Sequence, residues 1–390
     1  MAARTGLASL WRSPRIRSIA IQAALAAVLV AALAFVADNT IANLRRLNVN
    51  TGFRFLWQPA GFAINQTLIP YSEASSYFTA FVVALLNTLV LSAAGIVAAT
   101  VIGFVIGIAR LSRNWLIAKL AAVYVETLRN IPLLLQIFFW YFAILRPLPG
   151  PRQSVSLLWG TVLLNNRGLY LPEPVVESGF GVLVALLIAA AVAIALNRWA
   201  RQRQAASGQR PRLLAPVLLV LVGLPAATAL LTGFSLHWDR PQLVGFNLQG
   251  GIAVIPEFVA MLLALSLYIA AFIAEIVRAG ILAVPAGQVE AARALGLRRA
   301  QIYRLVIVPQ ALRVILPPLT NQYVNLVKAS SLAAAIAYPD LMLIFAGTVL
   351  NQTGQALEVM TITMLVYLTI SLTVSLLMNL YNRRVALVER

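Results

Sequence analysis

Residues 288–309, Q-V-E-A-A-R-A-L-G-L-R-R-A-Q-I-Y-R-L-V-I-V-P, form a charged, helix-favouring island between two long apolar runs. Its charged positions are Arg293, Arg298, Arg299 and Arg304, against the single carboxylate of Glu290. Val289, Ala292 and Leu295 recur at helical spacing over 288–295, and Ile302 and Leu305 do so over 298–306, so the spacing predicts two short helices. Gly296 falls between them, where a helix end calls for a residue that tolerates positive φ. Pro309 suits the start of the helix that follows. The expected product is a small, basic helical knob. Physics alone leaves two readings of it open: a docking element, or an amphipathic loop lying on anionic lipid.

Outward from the island the chain is apolar. Of its 390 residues 61% are hydrophobic and 11% charged, whereas soluble domains carry about 25% charged residues. Eight apolar runs, at 18–36, 80–109, 116–145, 179–196, 213–231, 252–282, 314–338 and 357–380, are long enough to cross roughly 30 Å of hydrocarbon. The fold class is therefore an all-α polytopic membrane protein of about eight transmembrane helices. The first run has the basic flank of a signal peptide but is long for one, and it reads as a retained span.

Net charge is +18. In a soluble chain that would suggest nucleic acid, but here the basic residues sit in short loops beside spans, where they set orientation. With the amino terminus inside and each span crossing once, twenty-one basic residues fall on the cytoplasmic side and seven on the other, with Arg129 and Lys328 inside spans. This bias places both termini and residues 288–309 in the cytoplasm. With no cysteine and one histidine, His237, the chain has no thiolate or His-cluster metal site, and no metal is expected. The outer segment 146–178, rich in proline and glycine, should be loop rather than helix.

Glu290-Ala291-Ala292, Gly296 four residues later, and the terminal Val306-Ile307-Val308-Pro309 resemble the EAA loop of binding-protein-dependent ABC import permeases. Val306 and Val308 are conservative departures from that family's I-x-L-P ending. Leu86-Asn87-Thr88-Leu89, residues 124–141, Ala274-Glu275-Ile276-Val277-Arg278, Pro309-Gln310-Ala311-Leu312-Arg313 and Lys328-Ala329-Ser330-Ser331-Leu332 are similar to the polar amino acid subfamily, the histidine, glutamine and general L-amino acid permeases. Ala329 departs from the acid often found there. The resemblance implies a type I permease core of five spans over 84–384, with an inserted segment at 146–250 carrying two spans. Residues 1–83 supply an amino-terminal tail, one span and an outer loop, and 385–390 a short tail. The layout resembles the larger permease of general L-amino acid transporters.

The same resemblance implies that Glu290, Ala291, Ala292, Gly296, Val306 and Pro309 couple to a separate ATPase. This chain would bind no cofactor, ATP and Mg being held by two ATPase subunits. A second, related permease chain in a heterodimer, a periplasmic amino acid binding protein and membrane lipid complete the expected partners, in a bacterial inner membrane. No G-x4-G-K-[S/T] loop occurs in the chain, in keeping with no ATP hydrolysis of its own.

Polar groups inside spans are the second constellation. Arg129 lies near the midplane, Glu126 precedes it by three residues on the same helix face, and Pro132 should break the helix. An ion pair locking the fold and a broken-helix wall of the substrate path are both open there. Asn321, Asn325 and Lys328 recur on one face of the seventh run, with Ser331 beyond, and a cation there could meet a substrate carboxylate. Glu275 and Arg278 are expected to form a structural pair near the cytoplasmic gate. The competing classes are a stand-alone secondary transporter or channel, and a membrane-embedded enzyme, for which neither H-E-x-x-H nor G-x-S-x-G is present.

Overall fold

The computed structural model describes residues 14–46, 52–209, 211 and 213–385. The amino-terminal tail with Arg4 and Arg12, together with Arg210, Arg212 and the tail with Arg390, lies outside the described residues. The long helices are α1 (Pro14–Arg46), α2 (Tyr77–Ala109), α3 (Trp115–Asn130), α4 (Leu133–Phe138, continued by a wide turn over Phe139–Leu145) and α5 (Gly179–Ser207). They continue with α6 (Leu214–Thr232), α7 (Pro256–Leu282), the short α8 (Ala286–Ala294), α9 (Arg299–Ile336) and α10 (Ala356–Val385). Among the described residues seven helices are long and apolar enough to cross a membrane, or eight if the broken pair α3–α4 is one span. This agrees with the eight apolar runs.

The chain divides into two compact units, Met1–Leu128 with Ile269–Arg390, and Arg129–Tyr268. In the first, α2 starts at Ser76, whose hydroxyl accepts the Thr79 N–H at 3.3 Å. The start of α2 is covered by the outer segment that follows α1. Phe55, Ala60 and Tyr77 are buried with Leu341, Phe345, Val349 and Val359. Of the aromatic residues in that segment Phe55 enters the core, while Phe53 and Trp57 stay exposed. Further along, Gly95, Ala99, Gly103 and Gly107 of α2 are buried at a four-residue repeat. A Cβ at Gly103 would lie 2.6 Å from Ile273, and one at Gly107 2.7 Å from the Ala274 carbonyl. Small residues thus let α2 and α7 approach backbone to backbone, the packing mode that membrane helices favour where water supplies no driving force.

In the second unit the break falls at Ile131-Pro132, where the sequence places it. Pro132 takes an extended backbone, and Gln136 Nε2 donates to the freed Ile131 carbonyl at 3.0 Å, which answers the polar group that proline exposes. The segment expected to be loop is in part strand. β1 (Val155–Leu157), β2 (Val162–Asn165), β3 (Gly168–Leu171) and β8 (Ile252–Val254) form one antiparallel sheet in that order. β4 (Glu173–Glu177) pairs β5 (Ser235–Asp239), and β6 (Gln242–Val244) pairs β7 (Asn247–Gln249). Pro174 is tolerated because β4 belongs to a two-stranded ribbon, with one edge free of the ladder. The apolar run at 252–282 accordingly starts as strand, and its helix begins at Pro256.

Candidate functional site

The knob forms as two short helices. α8 ends in a turn at Gly296, whose φ is +75°, and α9 opens at Arg299, the Gln301 side chain accepting the Arg298 N–H at 2.9 Å. Ala292, Ile302 and Ile307 are buried together, with Val289, Leu297, Val306, Ile281 and Val284 packed around them. This small core fixes the two helices against each other. Two expected members are absent: Leu295 and Leu305 are 81% and 60% exposed. The tight turn at Gly296 rotates Leu295 outward and brings in Leu297, and the wide turn at Tyr303–Ile307 shifts the inward face from Leu305 to Val306 and Ile307. Glu290 and Ala291 are also exposed. The result is an exposed surface that carries Glu290, Ala291 and Leu295 together with the arginines.

Pro309 stands in the first turn of the α-helical segment Val308–Ala329, as its position in the sequence predicts, and that segment follows the knob with no gap. α9 runs without a break from Arg299 to Ile336, and Pro309 sits just past the wide turn, where the Val308 N–H reaches back to the Tyr303 carbonyl. The extra residue in that turn accommodates the missing proline N–H and its ring, which an ordinary helical turn would not.

Beneath the knob lies an ion cluster. Glu275 accepts from Arg278 through Nη2 at 2.6 Å and Nε at 3.2 Å, as the three-residue spacing predicts. It also takes the guanidinium of Arg110, the residue at which α2 ends. Glu126, placed by its sequence near Arg129, has its carboxylate 3.7 Å from Arg110 Nη2. Two arginines and two glutamates thus tie α2, α3 and α7 together with zero net charge. Arg110 was not singled out by the sequence; an arginine at the end of an apolar run reads as a topology signal.

The stripe Asn321, Asn325 and Lys328 lies on one exposed face of α9. A groove of about 370 Å³ between α9 and α10 is lined by Thr320, Asn321, Lys328, Tyr367, Ser371 and Ser375 among others. Asn325 and Ser331 do not line it; the Ser331 hydroxyl donates to the Lys328 carbonyl at 2.8 Å.

At the other end of α9 a buried polar lock joins α2 to the connection before α10. Asn87 Nδ2 donates to the Pro339 carbonyl at 2.9 Å and to the Gln66 carbonyl at 3.0 Å. Thr88 Oγ1 accepts the Leu341 N–H at 2.9 Å, and the Tyr338 hydroxyl donates to the Asn87 carbonyl at 3.2 Å. Asp340, fully buried, accepts the Leu343 N–H at 2.8 Å. It lies in the connection outside the spanning helices, and burial pushes its carboxyl up to about 7. Asp340 was missed by the sequence reading, for its burial is set by tertiary packing and not by any local pattern.

A family profile described as binding-protein-dependent transport system inner membrane component matches residues 99–387. The chain is 53% identical over 379 residues to the putative amino-acid ABC transporter permease protein YhdX of Escherichia coli K12, covering 97% of this chain and 96% of that one. It is 52% identical over 378 residues to the general L-amino acid transport system permease protein AapQ of Rhizobium johnstonii, covering 97% and 94%. To the glutamate/glutamine/aspartate/asparagine transport system permease protein BztB of Rhodobacter capsulatus it is 45% identical, covering 96% and 95%. A crystal structure of an amino acid ABC transporter with histidines superposes with a TM-score of 0.47 at 24% identity, covering 79% of this chain and 95% of that one.

Proposed function

Because the chain belongs to the binding-protein-dependent transport system inner membrane components, we propose that it is the permease of an ABC importer for polar L-amino acids. It is a multi-pass transport subunit, not an enzyme, and the family works with ATPase and binding-protein partners. The relatives over its whole length are named for amino acids, which supports the substrate class. Both termini and the knob lie in the cytoplasm on this reading, supported by the threefold excess of basic residues on that side.

The observation that carries the mechanism is the knob itself. A private core of Ala292, Ile302 and Ile307 holds Glu290, Ala291 and Gly296 in one shape, which supports a docking surface for a partner. That partner is an ATPase subunit, which holds ATP and Mg. Two such subunits serve this chain and a second, related permease, and the exposed stripe of Asn325 and Lys328 on α9 fits a surface completed by that second lobe. Lys328, with the hydroxyls of the groove, meets a substrate carboxylate as the spans open inward, and a periplasmic binding protein delivers it.

Substitution Glu290→Lys or Gly296→Val, in cells carrying the whole transporter, tests this. ATP-driven uptake should be lost while the variant chain still inserts in the membrane. Unchanged uptake would overturn the coupling role. Since the chain has no cysteine, single cysteines at Gln288 and at Gln352 give the orientation: only the second should react with an impermeant maleimide from outside.

A further inference from the structure

The inserted helical hairpin carries a feature that transport leaves unexplained. Between Glu177 and Asp239 the chain has five arginines, Arg198, Arg201, Arg203, Arg210 and Arg212, and no acid. The apolar part of α5 is over by Leu196, after about 27 Å at 1.5 Å per residue, yet the helix continues through Asn197 to Ser207. Its arginine-bearing end therefore stands at the membrane–water boundary, whichever side that is.

A cleft of about 460 Å³ opens there between α5 and α6. Ala193, Ile194 and Asn197 line one wall, and Leu213, Leu214 and Val217 the other. Arg198 and Arg201 follow Ile194 and Asn197 by four residues, so each lies one turn beyond a lining residue on the same helix face. Both arginines are exposed. Trp199, 46% exposed, has the Arg203 guanidinium 5.2 Å from its ring centroid, an amphipathic pair of the kind found at headgroup level. Ile194 and Leu214 are 56% and 78% exposed, and in a spanning hairpin what meets them is acyl chain.

We propose that this cleft binds an anionic phospholipid, its acyl chain along Ile194, Leu214 and Val217 and its phosphate between Arg198 and Arg201. Apolar walls with a cationic mouth match that ligand at both ends, and a basic pocket between two spanning helices is the form such sites take. A zwitterionic lipid would carry its own cation to the mouth and lose the attraction. The site does not depend on the substrate or on the ATPase.

The test uses the full chain purified in neutral detergent, with native mass spectrometry counting retained lipid. Phosphatidylglycerol and cardiolipin should be retained at least about ten-fold better than phosphatidylcholine, and R198Q/R201Q should remove that preference, each charge being worth roughly five-fold. R198K/R201K should keep most of it. Inorganic phosphate in excess should not displace the lipid; displacement would mean a free-anion site and would overturn the proposal. Filling the cleft by A193W should reduce retention with every arginine in place, separating a shaped site from diffuse charge. In wild-type protein, which raises no question of folding, a photoactivatable phosphatidylglycerol should label peptides within 193–217. Labelling confined to other segments, or equal retention of anionic and zwitterionic lipid, would refute it.

Discussion

Glu275→Gln is the substitution whose consequences the ion cluster defines most fully. It leaves Arg110 and Arg278 facing a neutral amide, with Glu126 at 3.7 Å from Arg110 as the remaining carboxylate. The cluster passes from zero to +1. Each lost contact between charges about 4 Å apart is of order 4 kcal/mol at an effective dielectric of 20. The side chains of Arg110, Glu275 and Arg278 are 14%, 28% and 32% exposed, so water screens part of this, and about 2–3 kcal/mol is the expected loss. In thermal unfolding of the purified chain that should lower the transition by roughly 2–4 °C. Because Arg110, Glu275 and Arg278 are partly shielded from water, part of the drop should persist at high salt, where a surface pair would fade. Removing the stranded cation as well, in E275Q/R278Q, should restore part of the loss by returning the cluster to neutrality. A transition within about 1 °C of wild type for E275Q, or a double variant worse than the single by the full cost of a second lost pair, would refute the reasoning.

Further outcomes follow from the same physical terms. At Gly296 a Cβ would meet nothing within 4 Å, so the cost of substitution is backbone alone, about 1–2 kcal/mol for alanine in the left-handed region; uptake should fall in the order Asn, Ala, Val, with insertion equal for all three. Gly103→Ala and Gly107→Ala force α2 off α7 and should each destabilise by about 1–2 kcal/mol after the helix-propensity gain, whereas Gly287→Ala, with open space around it, should not, as thermal shifts of the three will show. The carboxyl of Asp340 is held near 7 against an ordinary 3.8, so the fold prefers its protonated form, and its contribution to stability falls as pH rises from about 4 to about 7. Asp340→Asn should therefore raise stability by an amount that grows through that window and levels above it, up to about 4 kcal/mol, measured by thermal unfolding between pH 4 and 8.

What the sequence made legible was what repeats locally. The spans were readable because length and apolarity are properties of each run, and the break at Pro132 because proline acts on its own helix. Gly296 was readable as a turn for the same reason. Contacts that depend on distant residues were not. Asn87 and Thr88 become a lock only when α2 meets the connection before α10. Gly95, Gly103 and Gly107 carry a clear period, but in so alanine- and glycine-rich a chain a stripe of small residues has little contrast. Leu295 and Leu305 were assigned inward by ideal periodicity, and the left-handed turn and the wide turn each moved the inward face by one or two residues. The strands of 155–177 were hidden because proline and glycine mark both loops and short edge strands.

The continuity of α9 is the feature with the largest consequence. Had a loop preceded Pro309, the knob and the span would have been joined by a flexible connection, and a push on one would dissipate before reaching the other. Instead one helix of 38 residues, about 57 Å at 1.5 Å per residue, begins inside the knob at Arg299 and carries Asn321, Asn325 and Lys328 further along. Such a rod cannot tilt or rotate at its base without moving the stripe. Its hydrogen bonding loosens below the stripe at the wide turn over Tyr303–Ile307 and again at Pro317 and Pro318, which have no N–H to donate; at the first of these Ile307 is clamped in the core of the knob. Motion imposed on the knob is therefore passed upward rather than absorbed at that turn. At its far end α9 meets the polar lock through Tyr338, so the rod is held at both ends. Lys328 lies between these two clamps, where a change at either end alters the direction of its face.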